Sequence, residues 1–173
     1  MTIARRTCIA ALTLLAICDL AISQDYTVGN WFVAKSNPDI QIAKVSNSEN
    51  STGIICIVSN NSCLAYATLG FSCEAGKKYP LLISAATGAF NSIATCNHLS
   101  PELQILVIDE FELMITAFES GGEVGFASPL KGGQFQVVRF STVGATAAIK
   151  DARNPPSRPA TNPKPVGSKP QYL

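Results

Sequence analysis

The chain has 173 residues, 47% of them hydrophobic and 14% charged, a balance that excludes a disordered polymer and leaves one ordinary globular domain with attachments. Its net charge of +1 provides no whole-molecule field to draw in nucleic acid or another polyanion. Six cysteines stand against one histidine, with no complete catalytic or cofactor signature, so neither a cofactor nor a metal is expected and the chain does not read as an enzyme.

Arg5 and Arg6 precede an apolar run from Cys8 to Ile17 that ends at Asp19, and the small residues Ala21 and Ser23 stand before Gln24. This pattern predicts a secretory signal peptide over residues 1–23. Asp19 cuts the run well short of the roughly 20 apolar residues a membrane span needs, so no stable insertion is expected once the signal is removed. Leu15-Ala16-Ile17-Cys18 is close to a lipidation motif, but Ile17 stands where that motif requires a small residue.

Residues 24–153 read as a β-rich globular domain. Trp31–Ala34, Ile40–Val45, Gly53–Val58, Cys63–Leu69, Tyr79–Ala86, Ser92–Cys96 and Leu103–Ile108 are short runs rich in Val, Ile, Leu and aromatics, each followed by Gly, Pro, Asn or Ser. Such spacing predicts an antiparallel, mainly β (α+β) domain, sheet-like or sandwich-like. The period then changes. Phe111, Met114, Ile115 and Phe118 recur at helical spacing, with Asp109 and Glu112 placed as a capping pair and Gly121-Gly122 as the stop. Two further strands, Glu123–Ala127 and Gln134–Phe140, form a hairpin through Ser128–Gly133. The alanine-rich stretch Thr142–Ala152 predicts a second helix ended by Asn154-Pro155.

Residues 154–173 hold six of the ten prolines and little that is apolar, which predicts a basic tail without a packed core. Arg153, Arg158, Lys164 and Lys169 are its candidate contacts to an anionic surface or partner. Without residues 1–23 the chain is neutral, with about −4 on residues 24–152 balanced by about +4 beyond.

Cys8 and Cys18 leave with the signal, so Cys56, Cys63, Cys73 and Cys96 remain in an oxidising compartment. Three pairings are possible. Cys56 with Cys63 is favoured, because Ser59-Asn60-Asn61-Ser62 is a strong turn between two strand-like runs, and that leaves Cys73 with Cys96. The spacings, with His98 two residues after Cys96, match no zinc pattern.

Catalytic candidates are few. His98, in Asn97-His98-Leu99-Ser100-Pro101, reads as a solvated loop residue, and no nucleophile elbow surrounds any serine. Gly70–Lys78 departs from a phosphate loop in glycine spacing and lacks its hydroxyl. Asp109, Glu110 and Glu112 cluster where acids stabilise a helix start. Asn50-Ser51-Thr52 and Asn60-Asn61-Ser62 are glycosylation acceptors in a eukaryotic secretory route. Trp31 reads as a core plug.

The segment Phe111 to Phe126, then Ser128-Pro129, then Val137 to Gly144, resembles the closing unit of the invasion-associated locus B family of exported bacterial proteins: short helix, glycine, strand, turn, strand, terminal helix. The signal peptide, Trp31 and the paired cysteines resemble that family too. No cysteine follows in Trp31-Phe32-Val33-Ala34-Lys35, and Cys96 has no short-spaced partner, so the family's disulfide scheme does not carry over. The resemblance implies a periplasmic or cell-envelope β-rich protein, linked in some bacteria with host-cell entry, and no catalytic site. The expected function is therefore exported, non-enzymatic binding of a protein or envelope component, with oligomeric state open. Alternatives are an inhibitor of a hydrolase such as lysozyme, an enzyme acting on an envelope polymer through Asp109, Glu110, Glu112 or His98, and a structural subunit of a surface assembly.

Overall fold

The computed structural model describes residues 25–37, 39–100, 103–130 and 134–154. The segment expected to be a signal peptide and most of the expected basic tail lie outside these residues. Ten strands follow in chain order: β1 (Tyr26–Val28), β2 (Trp31–Asn37), β3 (Ile40–Ser46), β4 (Ser51–Ile57), β5 (Ser62–Thr68), β6 (Lys78–Ala85), β7 (Gly88–His98), β8 (Gln104–Ile108), β9 (Glu123–Pro129) and β10 (Phe135–Ser141). Helix α1 (Phe111–Glu119) stands between β8 and β9, and α2 (Ala145–Arg153) follows β10. All the strands form one antiparallel sheet in the order β1-β2-β3-β4-β5-β8-β7-β6-β9-β10. The mainly β class is therefore correct, built as one curled sheet with two helices.

Strand alternation fills one side of this sheet. The register places Val33, Ala43, Ile54, Ala65, Ile108 and Ala94 side by side on one face, all buried. Alanines alternating with branched residues leave room for a second layer. Helix α2 packs on β2, β3 and β4, and α1 packs against β5, β6, β9 and α2. Met114, Ile115, Ala117 and Phe118 of α1 and Ala145, Ala148, Ile149 and Ala152 of α2 are the buried stripes. Trp31 is fully buried at the centre, its ring edge-on to Phe118 with centroids 5.1 Å apart, so it is the core plug expected of it.

Several expectations shift. Strand β1, only three residues long, carries no period to read. Strand β2 continues past Ala34 to Asn37 through a register shift between Lys35 and Asn37. Strand β7 runs from Gly88 to His98, longer than Ser92–Cys96, so His98 is not a loop residue but the end of a strand paired with Gln104. The capping pair does not form: Glu110 occupies the cap position without a side-chain cap bond, because its carboxylate accepts the Ser92 hydroxyl. The Asp109 backbone carbonyl accepts the Phe111 amide instead.

Helix α2 begins at Ala145 and not at Thr142, because the Thr142 amide and hydroxyl both bond to the Gly122 carbonyl. Gly144 then turns at φ 94, against β1. A Cβ on Gly144 would lie 1.8 Å from the Val28 carbonyl oxygen, so only glycine fits there.

Both expected disulfides are present. Cys56 and Cys63 face each other across β4 and β5 with Cα atoms 4.0 Å apart, after a 3-10 turn at Val58–Asn60 and a left-handed Asn61 at φ 52. Cys73 joins the loop after β5 to Cys96 on β7, Cα atoms 5.9 Å apart. The bridges close sequence separations of 7 and 23 residues. Loop-closure entropy makes the first worth about 2.5 kcal/mol and the second about 3.4 kcal/mol. Replacing both cysteines of a pair by alanine is expected to cost the larger amount at Cys73/Cys96, and urea titration of the two double variants measures the order.

Strand β1 is tied to α2 by the Tyr26 hydroxyl, which donates to Asp151 Oδ2. Burial first, then the Asp151 hydrogen bond and charge, push the Tyr26 phenol up to about 12. The folded chain thus favours the protonated phenol. That stabilisation is complete below the ordinary tyrosine value of about 10 and disappears as pH climbs toward about 12. Tyr26→Phe should make the alkaline fall in melting temperature shallower, and an unchanged fall would show that this tie contributes nothing.

Candidate interaction surface

With the inner face of the sheet filled by helices, function is left to its outer face, its edges and its loops. Among the described residues strand β10 is an edge, paired on one side only, with β9. Antiparallel geometry turns its residues alternately toward β9 and toward the open side. The Gln134 carbonyl accepts from Leu130 on the β9 side, whereas the Arg139 carbonyl accepts from Asn47 Nδ2 and the Ser141 carbonyl from the Trp31 indole. Phe135 and Val137 share the parity of Arg139 and Ser141, so their amides and carbonyls turn to the open edge.

The outer side chains of this corner are apolar. Phe135 is 68% exposed, Val137 55%, Leu82 46% and Ile93 38%. Register brings them together: Val137 lies opposite Ala127, Ala127 opposite Leu82, Phe135 opposite Pro129, and Ile93 opposite Pro80. At about 4.8 Å per strand, the patch crosses β10, β9, β6 and β7 over some 15 Å. Arg139, which flanks Gly125, and Asn91, opposite Leu82, form its polar rim. A contiguous exposed apolar patch beside an unpaired strand edge is the structural signature of a docking surface.

The residues singled out in the sequence fall elsewhere. Glu110 is engaged with Ser92, while Asp109 and Glu112 are exposed around the start of α1. His98 is exposed, and its Nε2 stands 3.2 Å from the Cys73 carbonyl. The ligand atoms of Cys73, Cys96 and His98 lie within 4.8 Å of one another, but both sulfurs are committed to the disulfide. Arg153 ends α2 with its guanidinium 5.8 Å from the Phe111 ring centroid, while Arg158, Lys164 and Lys169 lie outside the described residues. Of the two glycosylation acceptors, the Asn50 side-chain carbonyl is buried, and Asn60 Oδ1 accepts the Ser62 amide.

The patch was missed because Gln134–Phe140 carries apolar residues on both of its faces. Val138 and Phe140 point into the core and Phe135 and Val137 out of it. A strand apolar on both sides at a sheet edge is the signal that could have found it.

No protein-family model matches the sequence, and no curated protein matches it. Among solved structures, the crystal structure of invasion associated protein B from Bartonella henselae matches with a TM-score of 0.56 at 13% identity, covering 75% of this chain and 96% of that one. The fold and its two bridges define a disulfide-braced, curled-sheet domain. Its architecture is similar to that of the Bartonella protein, and the resemblance read from the closing segment is carried by the fold. No helix among the described residues is long and apolar enough to cross a membrane.

Proposed function

We propose that this chain is an exported, non-catalytic binding protein of the bacterial envelope or its exterior, which holds a protein partner against the edge of β10 and the outer face of β9 and β6. The observation that carries this reading is the coincidence of open backbone groups at Phe135 and Val137 with the exposed side chains of Phe135, Val137 and Leu82. An extended partner segment would add to the sheet at this edge and cover the patch with its side chains.

Two disulfides suit an oxidising compartment. The designation of the Bartonella protein as invasion associated supports a partner met at the cell surface, a host component among them. The Glu110 carboxylate is engaged with the Ser92 hydroxyl, which supports binding over catalysis.

The test is capture from envelope and host-membrane extracts by the wild-type chain and by Val137→Lys. Lysine at an exposed edge position places a hydrated charge where the partner must bury apolar area, so retention should fall at least tenfold, about 1.4 kcal/mol. Val137 is more than half exposed, so folding stability should change by no more than about 0.5 kcal/mol. A partner retained equally by both chains would place binding elsewhere.

A further inference from the structure

A second feature shares no lining residue with the β10 patch. A cleft of about 550 Å³ opens between the β3–β4 turn, the loop after β5 and the start of β8. Its size falls within the range of small-molecule sites. We infer that this cleft binds a neutral saccharide, through Asn50, Gln104 and the ring of Phe71.

The walls are held in place before any ligand arrives. In the β3–β4 turn the Asn47 amide donates to the Asn50 carbonyl, and the Asn50 amide donates to Asn47 Oδ1. Asn47 Nδ2 anchors the turn to Arg139 of β10 at 3.2 Å. Across the cleft the loop after β5 is fixed by the Cys73–Cys96 bridge and by the Cys73 amide, 2.9 Å from Gln104 Oε1. Little ordering entropy therefore remains to be lost on binding.

Among the described residues, one group in these walls has no partner. Asn50 Oδ1 is buried and accepts no hydrogen bond. An unsatisfied buried carbonyl costs roughly 1 to 3 kcal/mol, a deficit that a ligand hydroxyl or amide N–H would remove. Beside it the Gly70 backbone, at φ 68, packs closely: a Cβ there would stand 3.1 Å from Asn50 Oδ1 and 3.5 Å from Gln136 Nε2, so glycine lets the loop approach Asn50. A ligand donor that reaches this wall meets the Asn50 side-chain carbonyl, and the lining hydroxyls of Ser48 and Thr68 offer both donors and acceptors. A sugar hydroxyl is both donor and acceptor.

The remaining lining narrows the class. Glu49 is the charged residue among the described lining residues, so an anion is disfavoured. Amides and the hydroxyls of Ser48 and Thr68 disfavour a purely apolar ligand. Phe71, braced by Tyr79 with ring centroids 5.8 Å apart, supplies an apolar face for the C–H face of a pyranose.

The test is an amide-resolved NMR titration of the folded chain with diacetylchitobiose, lactose and maltose, with inorganic phosphate as the anionic control. At least one disaccharide should shift the amides of Asn50, Gly70, Phe71 and Gln104 at millimolar concentration, and phosphate should not. Asn50→Leu and Phe71→Ala should each weaken binding about tenfold. Asn50→Leu removes an unpaired carbonyl and should leave the melting temperature unchanged or higher, which an asparagine needed for folding would not allow. Val137→Lys should bind the sugar as wild type does, so failure at the β10 edge and failure here are separately visible. No shift with any of the three sugars, shifts confined to other residues, or equal binding by Asn50→Leu would overturn the assignment.

Discussion

The structure depends on a seam where the two ends of the sheet are brought together. An antiparallel sheet with one apolar face must cover it, and here the sheet curls around its own helices. The curl is held where the β1–β2 turn meets the β10–α2 turn. The Trp31 indole donates to the Ser141 carbonyl at 3.0 Å, and the Asn30 amide donates to the Val143 carbonyl at 2.9 Å. This approach requires backbone against backbone: a Cβ on Gly29 would lie 2.5 Å from the Val143 oxygen, and one on Gly144 closer still to that of Val28. Trp31 thus fills the core with its ring and closes the curl with its N–H, two roles that a phenylalanine could not combine.

The same seam decides where a partner can act. Trp31 and Asn47 satisfy edge carbonyls of Ser141 and Arg139, so the C-terminal half of β10 is already covered. Among the described residues nothing hydrogen-bonds to the open edge of its N-terminal half, Phe135 and Val137. Natural edges are usually blunted by charge, proline or a bulge; on the outer side of β10 the charge is Arg139, whereas Phe135 and Val137 carry apolar side chains facing outward. The strand is therefore divided at Arg139 into a structural half and an available half.

Much of this architecture was legible in the sequence, for local reasons. The turn between Cys56 and Cys63 indicated their pairing because facing strands place such residues within bridging reach. The Phe111–Phe118 period marked α1, and Gly121-Gly122 marked its end. What was not legible is non-local. Asp109 resembled a cap because the neighbouring acid, Glu110, gave no hint of its engagement with Ser92, eighteen positions earlier in the chain. Thr142 looked helical until Gly122 held it. His98 looked like a loop residue because its pairing with Gln104 comes from across a turn. Strand β1 is too short for any period and exists because β2 presents an edge to it. The cleft residues come from three separate segments, and neither composition nor spacing connects Asn50 with Gly70.

How a partner would divide its binding energy at β10 follows from the length of the open edge. Two residues, Phe135 and Val137, present outward-facing amides and carbonyls, so an added strand gains at most about four ladder hydrogen bonds, each worth about 0.5 to 1.5 kcal/mol net. Covering Phe135, Val137 and Leu82 is worth about 1.5 to 3 kcal/mol for each side chain if burial is complete. Association itself costs at least about 4 kcal/mol in lost rigid-body freedom. Backbone pairing alone therefore barely offsets that cost, and the side-chain patch must decide whether a complex persists. The ladder sets register and direction, while Phe135, Val137 and Leu82 set affinity, so selectivity at this surface falls to the shape of the apolar side chains the partner lays across β9 and β6.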